Sequence, residues 1–135
     1  YITTDAAVIG AMQERLQTKI NAAADELALF EADIVPAAGT LVIAYGVTAR
    51  AARQALSAAR EKGRALSLLI LKTLWPVPET LIREHLTVHE RAVVVEMNMG
   101  QYVREIERLA GSTKIDFYGQ MDGNLIHPSR IGEVL

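Results

Sequence analysis

Apolar residues recur at steps of three and four through the start of the chain: Ile9, Met12, Leu16, Ile20, Ala23, Leu27 and Phe30. That spacing lays them along one face of a helix. Between Thr4 and Phe30 there is no proline and a single glycine, Gly10. The pattern therefore predicts one helix of about seven or eight turns, roughly 37 Å at 1.5 Å per residue. Thr4 or Asp5 suits its N-cap, because a short side-chain oxygen accepts from an orphan amide of the first turn. Pro36 and Gly39 bring it to an end. So long a striped helix needs a surface to cover it, either the domain that follows or another chain.

Beyond Gly39 the pattern changes. Leu41–Tyr45, Leu66–Leu71 (apolar but for Ser67) and Ala92–Val95 are short apolar runs without alternation, as parallel strands covered on both faces require. Lys114–Tyr118 is a fourth, shorter strand. Helical patterns separate them. Thr48 caps a helix with Ala51, Ala52, Ala55, Leu56 and Ala59 turned inward and Gly63 at its stop. Pro78 suits the first turn of a helix carrying Leu81, Ile82 and Leu86. Gly100 opens one with Val103, Ile106 and Leu109 inward and Gly111 at its end, and Pro128 starts a final turn. Alternation of this kind predicts an α/β three-layer α/β/α sandwich, an open and mainly parallel sheet with right-handed crossovers, preceded by a long N-terminal helix. The division expected is a linker helix over residues 1–38 and an α/β domain over residues 39–135.

The 135 residues carry 16 acids against 14 bases, a net charge of −2. With no basic stripe, nucleic acid is not expected as a partner. The longest apolar runs are too short to span a bilayer, so no membrane association is expected. The chain has no cysteine, which removes disulfides, thiol nucleophiles and all-cysteine cluster ligation. It also fits a reducing, cytoplasmic setting. The chain opens at Tyr1 rather than a methionine, as a processed chain or a piece of a longer one does.

In open α/β sheets the functional loops follow the carboxyl ends of the strands. Three such loops stand out. In Glu96-Met97-Asn98-Met99-Gly100-Gln101, Glu96 ends a buried strand, Asn98 can cap the next helix, Gly100 permits close backbone approach, and Gln101 projects from a first turn that favours anions. This loop is read either as a ligand or partner contact, or as a well-capped helix start with a solvated glutamate. No second carboxylate, histidine or nucleophile shares it, so Glu96 is given no catalytic role. Tyr45-Gly46-Val47-Thr48 has one glycine where a dinucleotide site needs three in series, and no phosphate-loop lysine. Trp75 lies between Leu74 and Pro76 and is expected to pack under its loop or in an interface. His85 and His89, four apart, lack the intervening glutamate of a zinc-protease motif and read as surface residues near a helix end. No metal or cofactor ligands are assigned to this chain. The residues describe a subunit piece without a self-sufficient reaction centre.

Three segments carry a family resemblance: LVIAYGVTARAARQAL (41–56), LKTLWPVP (71–78) and VVVEMNMGQYVREI (93–106). Together they resemble the C-terminal, transketolase C-terminal-like region of the α subunit of 2-oxoacid:ferredoxin oxidoreductases, the 2-oxoglutarate type above all. Val77 and Lys72-Thr73 depart from the family's usual Phe and Arg-Pro. The resemblance covers residues 40–135, and Thr18-Lys19-Ile20 looks like the family's linker. It implies a strand order 2-1-3-4, with the relatives' antiparallel edge strand missing or supplied near Ile34 and Val35. It further implies an enzyme converting a 2-oxoacid, coenzyme A and oxidised ferredoxin to acyl-CoA, carbon dioxide and reduced ferredoxin. Thiamine diphosphate, magnesium and [4Fe–4S] clusters are implied for the whole enzyme and none for this chain. The implied partners are the rest of the α subunit and the β subunit, with self-association in their absence. Tyr45, Gly46, Thr48, Trp75, Glu96, Asn98, Gly100 and Gln101 are then interface or ligand-loop residues. The alternative is a stand-alone module binding a nucleotide or coenzyme A.

Overall fold

A computed structural model describes residues 2–135. Four unbroken apolar or mixed runs form the parallel strands β2 (Thr40–Tyr45), β3 (Leu66–Leu71), β4 (Arg91–Glu96) and β5 (Lys114–Gly119). They join β1 (Phe30–Asp33) in one sheet of order β1-β3-β2-β4-β5, with only β1 antiparallel. The order of the four parallel strands is the one the family resemblance implies.

Alternate strand residues go to opposite faces, as strand geometry demands. Val42, Ala44, Leu68, Ile70, Val93 and Val95 pack against α3 (Thr48–Glu61) and α6 (Pro128–Val134). Leu41, Ile43, Leu69, Leu71, Ala92 and Val94 pack against α4 (Glu79–Thr87) and α5 (Val103–Leu109). The central strands are covered on both sides, hence their unbroken apolar sequences. Ala52, Ala55 and Ala59 give α3 a low profile on the sheet, and α6 closes over it through the fully buried Ile131. Arg91 ties α6 to the sheet: its guanidinium donates to the Val134 carbonyl at 2.7 Å and pairs with Asp116 at 2.6 Å.

The leading helix departs from the sequence expectation. It does not run to Phe30: α1 (Ala6–Ala22) ends early, a single turn α2 (Ala24–Leu27) follows, and β1 begins at Phe30. Pairing with the free edge of β3 overrides the helical pattern. The amides of Lys72 and Thr73 donate to the Leu29 carbonyl at 2.9 and 3.1 Å, and the Thr73 hydroxyl donates to the Leu27 carbonyl at 2.6 Å. Glu31 pairs with Arg53 and, at 2.5 Å, with Lys72, while Asp33 pairs with Arg60 at 2.7 Å. The antiparallel edge strand is thus present and lies at residues 30–33, ahead of Ile34 and Val35. Asp5 is the N-cap of α1, accepting from the Ala7 and Val8 amides.

Ala52 is fully buried where α3 crosses the sheet. Ala52→Leu is expected to overpack this contact and lower stability by about 1–3 kcal/mol, read as a reduced urea midpoint at unchanged slope.

Candidate functional site at the carboxyl edge of the sheet

The loops after β2 and β4 meet at the carboxyl edge. Glu96 is the last residue of β4 and is completely buried, not solvated. A buried carboxylate must be hydrogen-bonded to be tolerated. Glu96 accepts from three donors: the Tyr45 hydroxyl at 2.8 Å, the Tyr102 amide at 2.9 Å and the Val103 amide at 2.6 Å. The two amides open α5, where orphan donors and the helix dipole favour negative charge. Glu96 therefore supplies the N-terminal cap that the sequence reading assigned to Asn98.

Asn98 holds the loop instead. Its Oδ1 accepts from the Gly100 and Gln101 amides at 2.8 and 3.0 Å. Its Nδ2 donates to the Tyr45 hydroxyl at 2.8 Å. The Tyr45 hydroxyl thus donates to Glu96 and accepts from Asn98, joining β2 to the β4–α5 loop. Gly100, at φ 81°, makes the turn that brings Asn98 and α5 together. Gln101 is exposed and precedes α5 rather than lying in its first turn. The helix amides it was expected to flank are already used by Glu96, so the loop offers no free anion cradle.

Thr48 is buried and starts α3, but it is not a cap. Its hydroxyl donates back to the Tyr45 carbonyl at 2.7 Å, and its oxygen lies 3.3 Å from the Val95 carbonyl. Gly46, at φ 56°, allows the chain to reverse between β2 and α3. Trp75 is 78% exposed, so of its two expected placements it does not pack under its loop, and the interface placement is not tested by a single chain. It lines a groove with Val77, Glu79, Arg108, Asn21 and Asp25. The polar network brings together Tyr45, Thr48, Glu96, Asn98, Gly100 and Gln101, and leaves Trp75 outside.

The sequence reading missed two participants. Tyr102 is 9% exposed and packs edge-on against Tyr45, ring centroids 5.5 Å apart. Its hydroxyl is buried with no protein partner. The aromatic residue following Gln101 was the available signal. Gly119 ends β5 where a Cβ would fall 2.4 Å from Phe117 Cζ and 2.8 Å from the Asn98 carbonyl oxygen. No periodicity marks that close approach.

Nor are the two histidines surface residues. His89 follows α4, is buried, and has Nδ1 2.6 Å from the His85 carbonyl oxygen. His85 is held below the usual imidazole range by burial and by neighbouring His89. Among the described residues no three His, Cys, Asp or Glu side chains gather as a metal-ligating group. None of their helices is long and apolar enough to cross a membrane.

A mainly parallel sheet, an antiparallel edge strand and loops gathered at the carboxyl edge define a transketolase-like α/β domain. A split-gene transketolase described as an inactive beta4 tetramer superposes on 66% of this chain and 32% of its own, with a TM-score of 0.54 and 16% identity. Residues 38–131 match the family model described as pyruvate:ferredoxin oxidoreductase core domain II, and the chain belongs to that family. It is 32% identical over 119 residues to 2-oxoglutarate synthase subunit KorA of Methanothermobacter thermautotrophicus, covering 87% of this chain and 32% of that one. It is 36% identical over 97 residues to ketoisovalerate oxidoreductase subunit VorB of the same organism, covering 72% and 28%. The chain thus spans about a third of the length of these curated relatives. A solved 2-oxoglutarate:ferredoxin oxidoreductase from Magnetococcus marinus superposes on 98% of this chain and 23% of its own, with a TM-score of 0.84 and 23% identity.

Burial raises the Tyr45 phenol well above its usual range, and the Glu96 hydrogen bond and charge raise it further. Burial also pushes Tyr102 up from 10.0 to about 12. A phenol raised on folding keeps its proton in the folded chain after the unfolded chain has lost it. The stabilisation is therefore complete below pH 10 and lost as pH rises through about 12. Thermal melts are expected to fall across that window. At pH 7 the two tyrosines should differ. Tyr45→Phe removes two hydrogen bonds, one of them to a carboxylate, and is expected to cost about 1–3 kcal/mol. Tyr102→Phe removes a buried hydroxyl without a partner and should be neutral or stabilising by up to about 1 kcal/mol.

Proposed function

We propose that this chain is the interface domain of the α subunit of a 2-oxoacid:ferredoxin oxidoreductase of the 2-oxoglutarate type, without a reaction centre of its own. In this reading residues 1–38 are the linker, lending β1 to the edge of a domain built from residues 39–135. The observation that carries it is the closure of the Glu96–Tyr45–Asn98 network. The Glu96 carboxylate, the Tyr45 hydroxyl and the Asn98 side-chain amide are all engaged in holding the loop. Two exposed side chains of the same loops, Val47 and Met99, are large and apolar, as protein contact favours.

The whole enzyme would convert a 2-oxoacid, coenzyme A and oxidised ferredoxin to acyl-CoA, carbon dioxide and reduced ferredoxin, in a cytoplasmic setting. Thiamine diphosphate would supply the carbanion chemistry, and iron–sulfur clusters would carry the electrons. The residues here do not fit either group. The chain has no cysteine for a cluster. Its one fully buried carboxylate already accepts three hydrogen bonds from the protein. Both groups are therefore assigned to the rest of the α subunit and the β subunit, and the loops with Tyr45, Gly46, Asn98, Gly100 and Gln101 to the contact with them.

Two assays test this reading. The purified chain, given 2-oxoglutarate, coenzyme A, thiamine diphosphate and magnesium, is expected not to reduce methyl viologen, and coenzyme A or a nucleotide should leave its melting temperature unchanged. Substituted for the matching third of the Methanothermobacter subunit, it should restore viologen reduction that deletion of that third abolishes. Turnover by the chain alone contradicts the reading. So does a rise of several degrees with coenzyme A or a nucleotide.

A further inference from the structure

Helix α1 contributes no buried residue to this molecule. Val8, Met12 and Leu16 are 44–48% exposed on one face. Reading outward from Met12, the same face carries Val8 four residues back and Leu16 four residues on, then Asp5 and Lys19 a further three residues each way. The seam reads acid, apolar, apolar, apolar, base with steps of three, four, four and three. It is symmetric in spacing and antisymmetric in charge about Met12. Such a seam is complementary to itself when a second helix runs antiparallel. Met12 then faces Met12, Val8 faces Leu16, and the Asp5 of each copy meets the Lys19 of the other. A parallel pair would set acid on acid and base on base, with like ends of the two helix dipoles also side by side.

We propose that α1 pairs antiparallel with α1 of a second copy of this chain, across a two-fold axis at Met12. The contact is isologous and closes as a dimer. Asp5 keeps one oxygen on the Ala7 and Val8 amides as N-cap, which leaves the other for the lysine. Three apolar side chains per copy bury far less than the about 1,200 Å² of a standard interface. The dimer is accordingly weak, forming at high protein concentration and lost on dilution. The inference does not depend on the enzymatic reading above.

The absence of cysteine makes the test direct. Met12→Cys, treated with a short bismaleimide, is expected to give a covalent dimer. Asp5→Cys alone should not, because its two copies lie roughly 21 Å apart in an antiparallel pair, whereas a mixture of Asp5→Cys and Lys19→Cys chains should. In sedimentation, Leu16→Glu and Lys19→Glu should leave only monomer, and Gln17→Glu, on the far side of the helix, should leave the dimer intact. Circular dichroism should show the fold unchanged in each variant, since α1 buries nothing. Monomer at every concentration overturns the proposal, as does cross-linking of Asp5→Cys to itself or a dimer that survives Leu16→Glu.

Discussion

The fold of the carboxyl edge depends on one buried carboxylate. Glu96 leaves the end of β4 with no access to water. Removing a charge from water is costly unless the lost hydration is replaced by donors of good geometry. Here two amides at the start of α5 and one phenol supply that replacement. The arrangement works in both directions. The helix start needs a negative group for its orphan amides, and the carboxylate needs donors, so each satisfies the other. Because α5 packs through Val103, Ile106 and Leu109 onto the same sheet face as α4, the Glu96 contact also sets where that layer sits.

The same interaction decides what the loop can do. A glutamate at the end of a strand, beside a helix start, is where an acid–base group or an anion site is first sought. Its oxygens already accept from Tyr45, Tyr102 and Val103, and Asn98 is bound to the Gly100 and Gln101 amides and to Tyr45. The motif EMNMGQ is then the chemistry of a loop that holds its own shape. The chain belongs to the pyruvate:ferredoxin oxidoreductase core domain II family, whose curated relatives are about three times as long.

Much of this was legible in the sequence. Apolar runs without alternation at 41–45, 66–71 and 92–95 mark parallel strands because both faces are covered, and the alanine face of α3 follows from its spacing. The family resemblance rests on loop residues whose identities turn geometry: Gly46 and Gly100 at positive φ, and Asn98 folding back on two amides. What was hidden is long-range. Phe30 continues a helical stripe in sequence, yet it enters the sheet because β3 presents a free edge and Arg53, Arg60 and Lys72 await Glu31 and Asp33. Asn98 has the look of a cap and Glu96 does not, since a residue six or seven positions before the capped amides lies outside any local capping pattern. Trp75 was expected under its loop or in an interface; its exposure on this chain removes the first placement and leaves the second.

The central claim is that Glu96 is a structural cap and not a reactive group. Native-state hydrogen exchange at the Tyr102 and Val103 amides tests it most directly. Bound to a buried carboxylate, both should exchange only with global unfolding, at the same free energy as the core amides of β4. Exchange at the rate of a frayed helix end, in a chain otherwise folded, would mean that the carboxylate is free to turn outward and act elsewhere.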